Sequence, residues 1–509
     1  MTELVKEKQS PPTDVQSVES LKEIQFNGKE IKLDDGDEII KLGLAHEEVT
    51  MTRERERQLV HKIDLYMLPL MCMVYCFQFM DKLSNSFASI LGLRTDLHMV
   101  GQEYSWTGSA FYLGYMVFEL PASMLLHRFP VAKTVGTFII VWGVVLALHA
   151  TPNNAAGFLA LRTILGALES SVTPAFTFIT SQWYTIDQTF LRITIWFAFN
   201  GLGNIIGSLT AYGLAVHSDS LSLAPWKYVF IITGILTVAL GVAVLAHLPD
   251  SPATAWFLTD EDKMLVVHRN RKNHQGFGNK HLKKSQVIEA LTDYKTWLLF
   301  AFVLLGNVPN GGITNFGSIV LTEQLGYTVN QTLLYQTISG AVELVGCILI
   351  ASLSHFYNSR LVWGIISQCI GSAGVLMLCL GSEKHMRFAG YNMNFVSPVS
   401  FVCVLSCVAS NVLGTTKKYT VNVIVLIGYC VGNLSGSAVF KASETPVYGT
   451  AKKSLAVCSA LQLVMLIVIW VAYYTENKIR DRKPEPEKIE NIEFLDLTDG
   501  QNPFFRYSF

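Results

Sequence analysis

The chain has 509 residues, 50% of them hydrophobic and 16% charged, with a formal net charge of −1. Soluble chains carry about 25% charged residues, so the deficit speaks against a cytosolic enzyme, and the even balance of charge excludes a generally basic nucleic-acid binder. The apolar residues fall in long uncharged runs, such as 134–149, 231–248 and 455–473, each close to what a hydrocarbon core of about 30 Å requires of a helix.

In chain order, residues 1–63 are rich in Lys, Glu and Asp and lack the short apolar core of a cleavable signal peptide. They are expected to form a disordered cytoplasmic tail. Six apolar segments follow, near 64–88, 104–126, 133–151, 157–181, 191–214 and 227–248, and are assigned to a first six-helix bundle, 64–248. The polar interruption 249–295 is read as a central loop. Thr259 there is placed to cap a short helix, with Asp262 three residues on. The loop then turns basic through Arg269, Arg271, Lys272, Lys283 and Lys284, as suits a segment beside anionic lipid. A second bundle, 296–475, holds segments near 296–319, 332–353, 361–381, 394–413, 419–440 and 453–475, and 476–509 is a second tail. The fold class is an all-α membrane protein of about twelve transmembrane helices.

Positive residues set the orientation. With the N-terminus inside, the cytoplasmic side receives Arg53, Arg55, Arg57, Lys62, Arg128, Arg192, Arg360, Lys417, Lys418, Lys478 and Arg480. The other side has fewer, so both termini and the central loop are expected to be cytoplasmic.

The halves echo one another. Gly203-Asn204-Ile205-Ile206-Gly207-Ser208 and Gly432-Asn433-Leu434-Ser435-Gly436-Ser437 are offset by 432 − 203 = 229; Glu119 and Glu343 by 224; Arg128 and Arg360 by 232. The matches predict a duplicated six-helix unit, two bundles related by a pseudo-twofold axis. Glycines spaced by four serve close helix packing.

Charges inside spans are costly and mark function by default. Glu169 and Glu343 lie about 16 Å into their spans; Glu119 is similarly deep, and Asp81-Lys82 lies in the outer half of the first span. Arg162 is two helical turns before Glu169, on the same face. A buried carboxylate beside a cation is a possible proton-coupling device, and Arg162 or Lys82 equally suits a substrate carboxylate. Packing ion pairs are the competing account for each. Asn200 and Asn204, one turn apart, share a face. Asn307, Asn310 and Asn315 flank Pro309 and Gly311-Gly312, a pattern of a broken or kinked helix. His127, His149, His217 and His247 fall at helix ends and are read as interfacial. The nine cysteines lie within predicted spans and are read as apolar packing residues, so no metal site is expected. With no phosphate-binding loop, zinc-protease or serine-hydrolase motif, an ion-gradient-driven carrier is the simplest reading, and no enzyme.

The chain resembles the major facilitator superfamily and, within it, the fungal allantoate permease group of anion:cation symporters. The resemblance runs over most of the chain. It rests on Lys62-Ile63-Asp64-Leu65, Gln78-Phe79-Met80-Asp81-Lys82, Gly92-Leu93-Arg94-Thr95-Asp96-Leu97, Tyr104-Ser105-Trp106, Glu169-Ser170-Ser171-Val172-Thr173-Pro174, Pro249-Asp250-Ser251-Pro252, Gln275-Gly276-Phe277-Gly278-Asn279, Pro309-Asn310-Gly311-Gly312 and Asp496-Leu497-Thr498-Asp499. One departure is His127-Arg128, where the superfamily usually has an Asp-Arg pair, which puts the charge relay of that loop in doubt.

The resemblance implies uptake of a small organic anion across the plasma membrane, with the proton as coupling ion and no cofactor. The expected partners are the substrate, the proton and membrane lipids, with no nucleic acid, and a monomer is expected. Lys82 or Arg162 would hold a substrate carboxylate and Asn200, Asn204 and Asn310 its amide or ureido part. Glu169 or Glu343 would take the proton, with Glu119 and Asp81 as further candidates. Alternatives are a carrier of a vitamin, sulfur compound, small peptide or amino-acid-derived carboxylate, and a nutrient sensor without net flux.

Overall fold

The computed structural model describes residues 23–26, 29–32, 52–271, 283–353, 359–483 and 497–509. The remainder of the N-terminal tail, Lys272, the 275–279 motif and most of the acidic stretch 485–499 lie outside the described residues. Among the described residues twelve helices are long and apolar enough to cross a membrane. They are numbered here as spans 1 to 12: Arg53–Asp96, Glu103–Leu126, Val131–Leu148, Ala155–Trp183, Gln188–Val216, Pro225–His247, Tyr294–Gln324, Val329–Leu353, Arg360–Leu380, Lys384–Asn411, Thr415–Ala438 and Gly449–Asp481. Their outward faces carry Val117, Met124, Ile235, Val345 and Leu380, all exposed, as a lipid-facing surface requires.

Several boundaries differ from expectation. Span 1 begins at Arg53, eleven residues into what reads as tail, capped by the Thr52 hydroxyl, which accepts from the Arg55 amide. Span 10 begins at Lys384, ten residues early, because Arg387 donates to the Leu378 and Gln324 carbonyls and the Gln324 side chain, so its charge is satisfied at the helix end. The tail also holds an antiparallel hairpin, Glu23–Phe26 paired with Lys29–Lys32. The dipeptide between these strands in the sequence, Asn27-Gly28, is a strong hairpin signal.

The central loop contains helices Asp260–Arg271 and Lys284–Thr292. The capping expected there is reciprocal: the Asp262 amide donates to Thr259 Oγ1 at 3.2 Å and the Thr259 amide to Asp262 Oδ2 at 3.4 Å. Asp262 also takes ion pairs from Arg55 and Lys62, each at 2.9 Å, docking the loop on span 1.

Packing follows a twofold rule. Spans 1 and 5 pair as 7 and 11 do, 3 and 6 as 9 and 12, and 2 and 4 as 8 and 10, while the bundles meet along 5 against 8 and 2 against 11. The glycine repeats make the equivalent contacts. A Cβ on Gly203 would stand 2.1 Å from the Cys76 carbonyl oxygen of span 1, and one on Gly432 2.4 Å from the Leu304 carbonyl oxygen of span 7. Spans 1 and 7 also share a π-type turn, Ser89–Leu93 and Val320–Gln324, where Gly92 takes φ +106°.

At the end of the molecule away from the tails, the bundles are joined. Arg94 pairs with Glu323 at 3.0 Å, Tyr104 donates to the Asn315 carbonyl at 2.6 Å and Ser86 to Ser318 at 3.0 Å, while Tyr448 of the second bundle holds Glu323 in place, donating to it at 3.2 Å. The Phe316 and Phe440 rings stack beneath them at 4.4 Å. The seal leaves a cavity between the bundles.

Candidate functional site

The cavity has about 100 Å³ open to water-sized molecules, and its wall mixes amides, hydroxyls and rings. Span 1 contributes Tyr75, Gln78, Phe79 and Lys82, one face of a helix at spacings of three and four. Asn307, Asn310 and Thr314 of span 7 do the same from the other bundle. Asn200 and Glu343 line it from spans 5 and 8, and Tyr115 and Tyr429 from spans 2 and 11.

The charged feature is an ion pair. Lys82 Nζ lies 2.8 Å from Glu169 Oε1; the lysine side chain is 14% exposed and the carboxylate fully buried. Lys82 lines the cavity, and Glu169 stands behind it, at the last turn of the first helical segment of span 4, Ala155–Glu169. The break after Glu169 has a local cause: Pro174 has no N–H to give the Ser170 carbonyl, and the helix resumes at Val172. A ligand anion reaching Lys82 from the cavity therefore competes with Glu169 for the same ammonium.

Asp81, the neighbour of Lys82, points elsewhere: it is fully buried and accepts from the Trp142 indole of span 3. Arg162 is 2% exposed and does not line the cavity; its guanidinium lies between the Phe158 and Phe230 rings, 5.5 and 5.6 Å from their centroids. Its Nε and Nη2 have no acceptor, and Asp81 and Glu169 are near enough to act on it as charges. Asp81, Lys82, Arg162 and Glu169 thus form a buried group of two carboxyl and two basic side chains inside the first bundle, and of the four only Lys82 is at the cavity wall.

The other expected residues divide. Asn200, Asn310 and Glu343 line the cavity. Asn204 does not: it is fully buried against Gly340 at the seam of spans 5 and 8. Glu119, 3% exposed, also lies off the cavity, with neither carboxylate oxygen hydrogen-bonded. Span 7 is a continuous helix through Pro309, with no break. Asn307 accepts from Asn433 at 3.0 Å. His149, read as interfacial, is fully buried and stacked on Phe230 at 5.3 Å.

Sequence reasoning missed the glutamines. Gln78, Gln368 and Gln462 line the cavity; Gln368 donates to Gln462 at 2.7 Å and accepts from Ser400 at 2.7 Å. The signal available was an amide within an apolar run, which needs a partner as much as an asparagine does.

The comparisons with known proteins agree with this architecture. The description of the Major Facilitator Superfamily matches residues 70–439. An uncharacterized transporter of Schizosaccharomyces pombe is 47% identical over 458 residues, 89% of this chain and 90% of its own. The allantoate permease of Saccharomyces cerevisiae is 43% identical over 499 residues, 95% of this chain and 92% of its own. Among solved structures, a bacterial homolog of the human lysosomal transporter Spinster, inward-facing and occupied, superposes with a TM-score of 0.54 at 14% identity, over 86% of this chain and all of that one.

Proposed function

This chain belongs to the Major Facilitator Superfamily and is a twelve-span membrane transporter, and from that premise we propose that it takes up allantoate, ureidosuccinate or a similar small organic anion across the plasma membrane together with a proton. The observation that carries the reading is the Lys82–Glu169 pair at the cavity wall. A substrate carboxylate binds Lys82 and displaces Glu169. The displaced carboxylate is left buried without its ion-pair partner, with Arg162 acting on it only as a nearby charge shared with Asp81, and takes a proton, because a buried charge that has lost its partner costs more than a neutral acid. Substrate and proton then load together and leave together. Asn200, Asn310, Gln78 and Gln462 supply donors and acceptors for the ureido part, and Tyr75, Tyr115 and Tyr429 flank it. Glu343, at the opposite wall, is the second carboxylate the proton visits.

In this reading the tails and central loop are cytoplasmic and the sealed end faces outside. The substrate assignment draws on the name of the yeast relative and on the amide-rich wall.

The test is uptake of labelled allantoate into cells lacking their own permease, at external pH 5 and pH 7, with and without a protonophore. Uptake that is greater at pH 5 and collapses with the protonophore supports the proposal. Uptake indifferent to both refutes the coupling. Correctly placed protein with no allantoate uptake refutes the substrate, and competition by vitamin, sulfur-compound and peptide carboxylates then decides among the remaining anions. Binding without net flux marks a sensor instead.

A further inference from the structure

The tail contains a second ordered element, which neither the cavity nor the seal involves. Residues Leu497–Phe509 return to the end of the second bundle and fasten across spans 9, 10, 11 and 12. Asp499 Oδ1 pairs with Lys417 of span 11 at 2.7 Å, both side chains 2% exposed. Lys417 also binds Glu289 of the loop helix and Asp293 before span 7, each at 3.0 Å. Tyr507 donates to Asp499 Oδ2 at 2.7 Å and stacks on Tyr473 of span 12 at 4.9 Å. The backbone of Ser508 donates to Asn411 of span 10 and its carbonyl accepts from the Asn411 amide, both at 2.9 Å. Arg360, the first residue of span 9, donates its backbone N–H to the Phe509 carbonyl at 3.0 Å and its guanidinium to the hydroxyls of Ser508, Ser406 and Ser410.

Arg360 also faces a small cleft between the bundles, shared with Ser406, Ala409 and Ser410 of its own bundle and Thr177, Ser181, Tyr184 and Thr189 of the first. The cleft lies at the tail end of the molecule, where spans 4 and 5 must approach spans 9 and 10 when that end closes. The guanidinium Nε is buried there without an acceptor, while hydroxyls of the first bundle line the other wall.

We infer that Leu497–Phe509 is a strap that holds Arg360 as a positioning residue of the tail-end gate, presenting it to the first bundle when that end closes. Arg360 touches neither the cavity nor its ion pair, so it acts on the exchange between states and not on substrate binding. The inference rests on the transport reading for one readout only.

The strap's hold on Arg360 and span 10 is loosened by Asn411→Ala with Ser508→Ala, which leaves the Lys417–Asp499 anchor intact. In the full chain, a cysteine at Ser181 is labelled with an impermeant thiol reagent from the tail side of inside-out vesicles. The double variant is expected to label several-fold faster, because its closed tail end is less populated. Equal labelling rates overturn the inference and involve no substrate, so they leave the transport proposal intact. Where allantoate uptake is measurable, the same variant is expected to lose maximal rate several-fold with half-saturation within twofold of the parent. A raised half-saturation at unchanged rate overturns the positioning role. Removal of 497–509 lowers the unfolding temperature in either case; if it does so with gate labelling and maximal rate unchanged, the strap is a structural brace and the inference is wrong.

Discussion

Replacing Glu169 by glutamine tests the coupling directly. The amide keeps the shape and a hydrogen bond to Lys82 but cannot carry the proton. At 2.8 Å and an effective dielectric of about 20, the native pair attracts by about 6 kcal/mol. A substrate carboxylate at the same distance returns a similar energy, so the exchange of one anion for another at Lys82 is nearly even. What remains is the displaced Glu169. Left ionised, it costs about 3–5 kcal/mol; protonating a carboxyl with the ordinary value of about 4.3 costs about 1 kcal/mol at pH 5 and about 4 kcal/mol at pH 7. Acid outside therefore favours the proton decisively, while at pH 7 inside the two costs are close and the proton is released as the substrate leaves and Glu169 pairs with Lys82 again. One proton moving down two pH units supplies about 2.7 kcal/mol, a hundredfold accumulation. In proteoliposomes at pH 5 outside and pH 7 inside, the parent is expected to concentrate labelled allantoate about hundredfold. The Glu169→Gln protein is expected to reach a ratio near one while still exchanging substrate downhill, with half-saturation lowered because Lys82 has lost its internal competitor. Accumulation by the variant equal to the parent refutes the reasoning; collapse only with Glu343→Gln moves the proton to that carboxylate.

The outer seal gives a second prediction: Asn315→Ala removes the bonds to Asn85 at 3.3 Å and Ser437 at 3.0 Å, about 1–3 kcal/mol together. A cysteine at Thr314 should then be labelled from outside about tenfold faster, and an unchanged rate rejects the seal as a gate. Gly203→Ala forces a Cβ against the Cys76 carbonyl oxygen at 2.1 Å, whereas Gly213 has nothing within 4 Å; overpacking of about 3 kcal/mol should lower the unfolding temperature of the first variant, and Gly213→Ala should not. At Asp262, burial pushes the carboxyl up, but hydrogen bonds from Lys62 and Thr259 and the Lys62 charge outweigh it and hold it below the ordinary carboxylate range. A lowered folded value means that this stabilisation is full above the unfolded value, near pH 4, and is lost as pH falls through the folded value. Proteolysis of the central loop should accordingly rise only below about pH 4 in the parent and already at pH 7 in Asp262→Asn; a loop equally resistant in both at pH 7 removes Asp262 as its anchor.

Much of the fold was legible because hydrocarbon length and charge exclusion act locally: each span announces itself by a run of apolar residues. The ends were less legible, since Arg53–Lys62 and Lys384–Arg387 are charged yet helical, held by partners distant in sequence such as Asp262 and Gln324. The site was half legible for the same reason. Depth marks Glu169, Lys82 and Arg162 as costly, but depth says nothing of direction around the helix. Lys82 faces the cavity, while Arg162 is turned between Phe158, one turn before it in its own span, and Phe230 of span 6, which no pattern in span 4 identifies. The return of Leu497–Phe509 was invisible, because its anchors are Lys417, Arg360 and Asn411 on three different spans.

The offset of 229 that identified the duplication also explains why the chemistry is one-sided. Gln78 and Asn307 differ by 307 − 78 = 229 and both line the cavity; so do Asn200 and Tyr429, at 429 − 200 = 229. Asp81 corresponds to Asn310, and Lys82 to Gly311. The first half thus places a cation where the second places a glycine. That glycine is not free to change: a Cβ on Gly311 would stand 2.3 Å from the Asn433 carbonyl oxygen of span 11. Close packing of spans 7 and 11 excludes any side chain there, so the second bundle cannot hold a matching lysine. Among the described residues the cavity is left with one cation at its wall, Lys82, already engaged by one carboxylate, and a facing wall of amides together with Glu343. In the proposed function such a site suits a ligand with a single anionic end and a hydrogen-bonding remainder, and each anion that binds would displace one internal carboxylate.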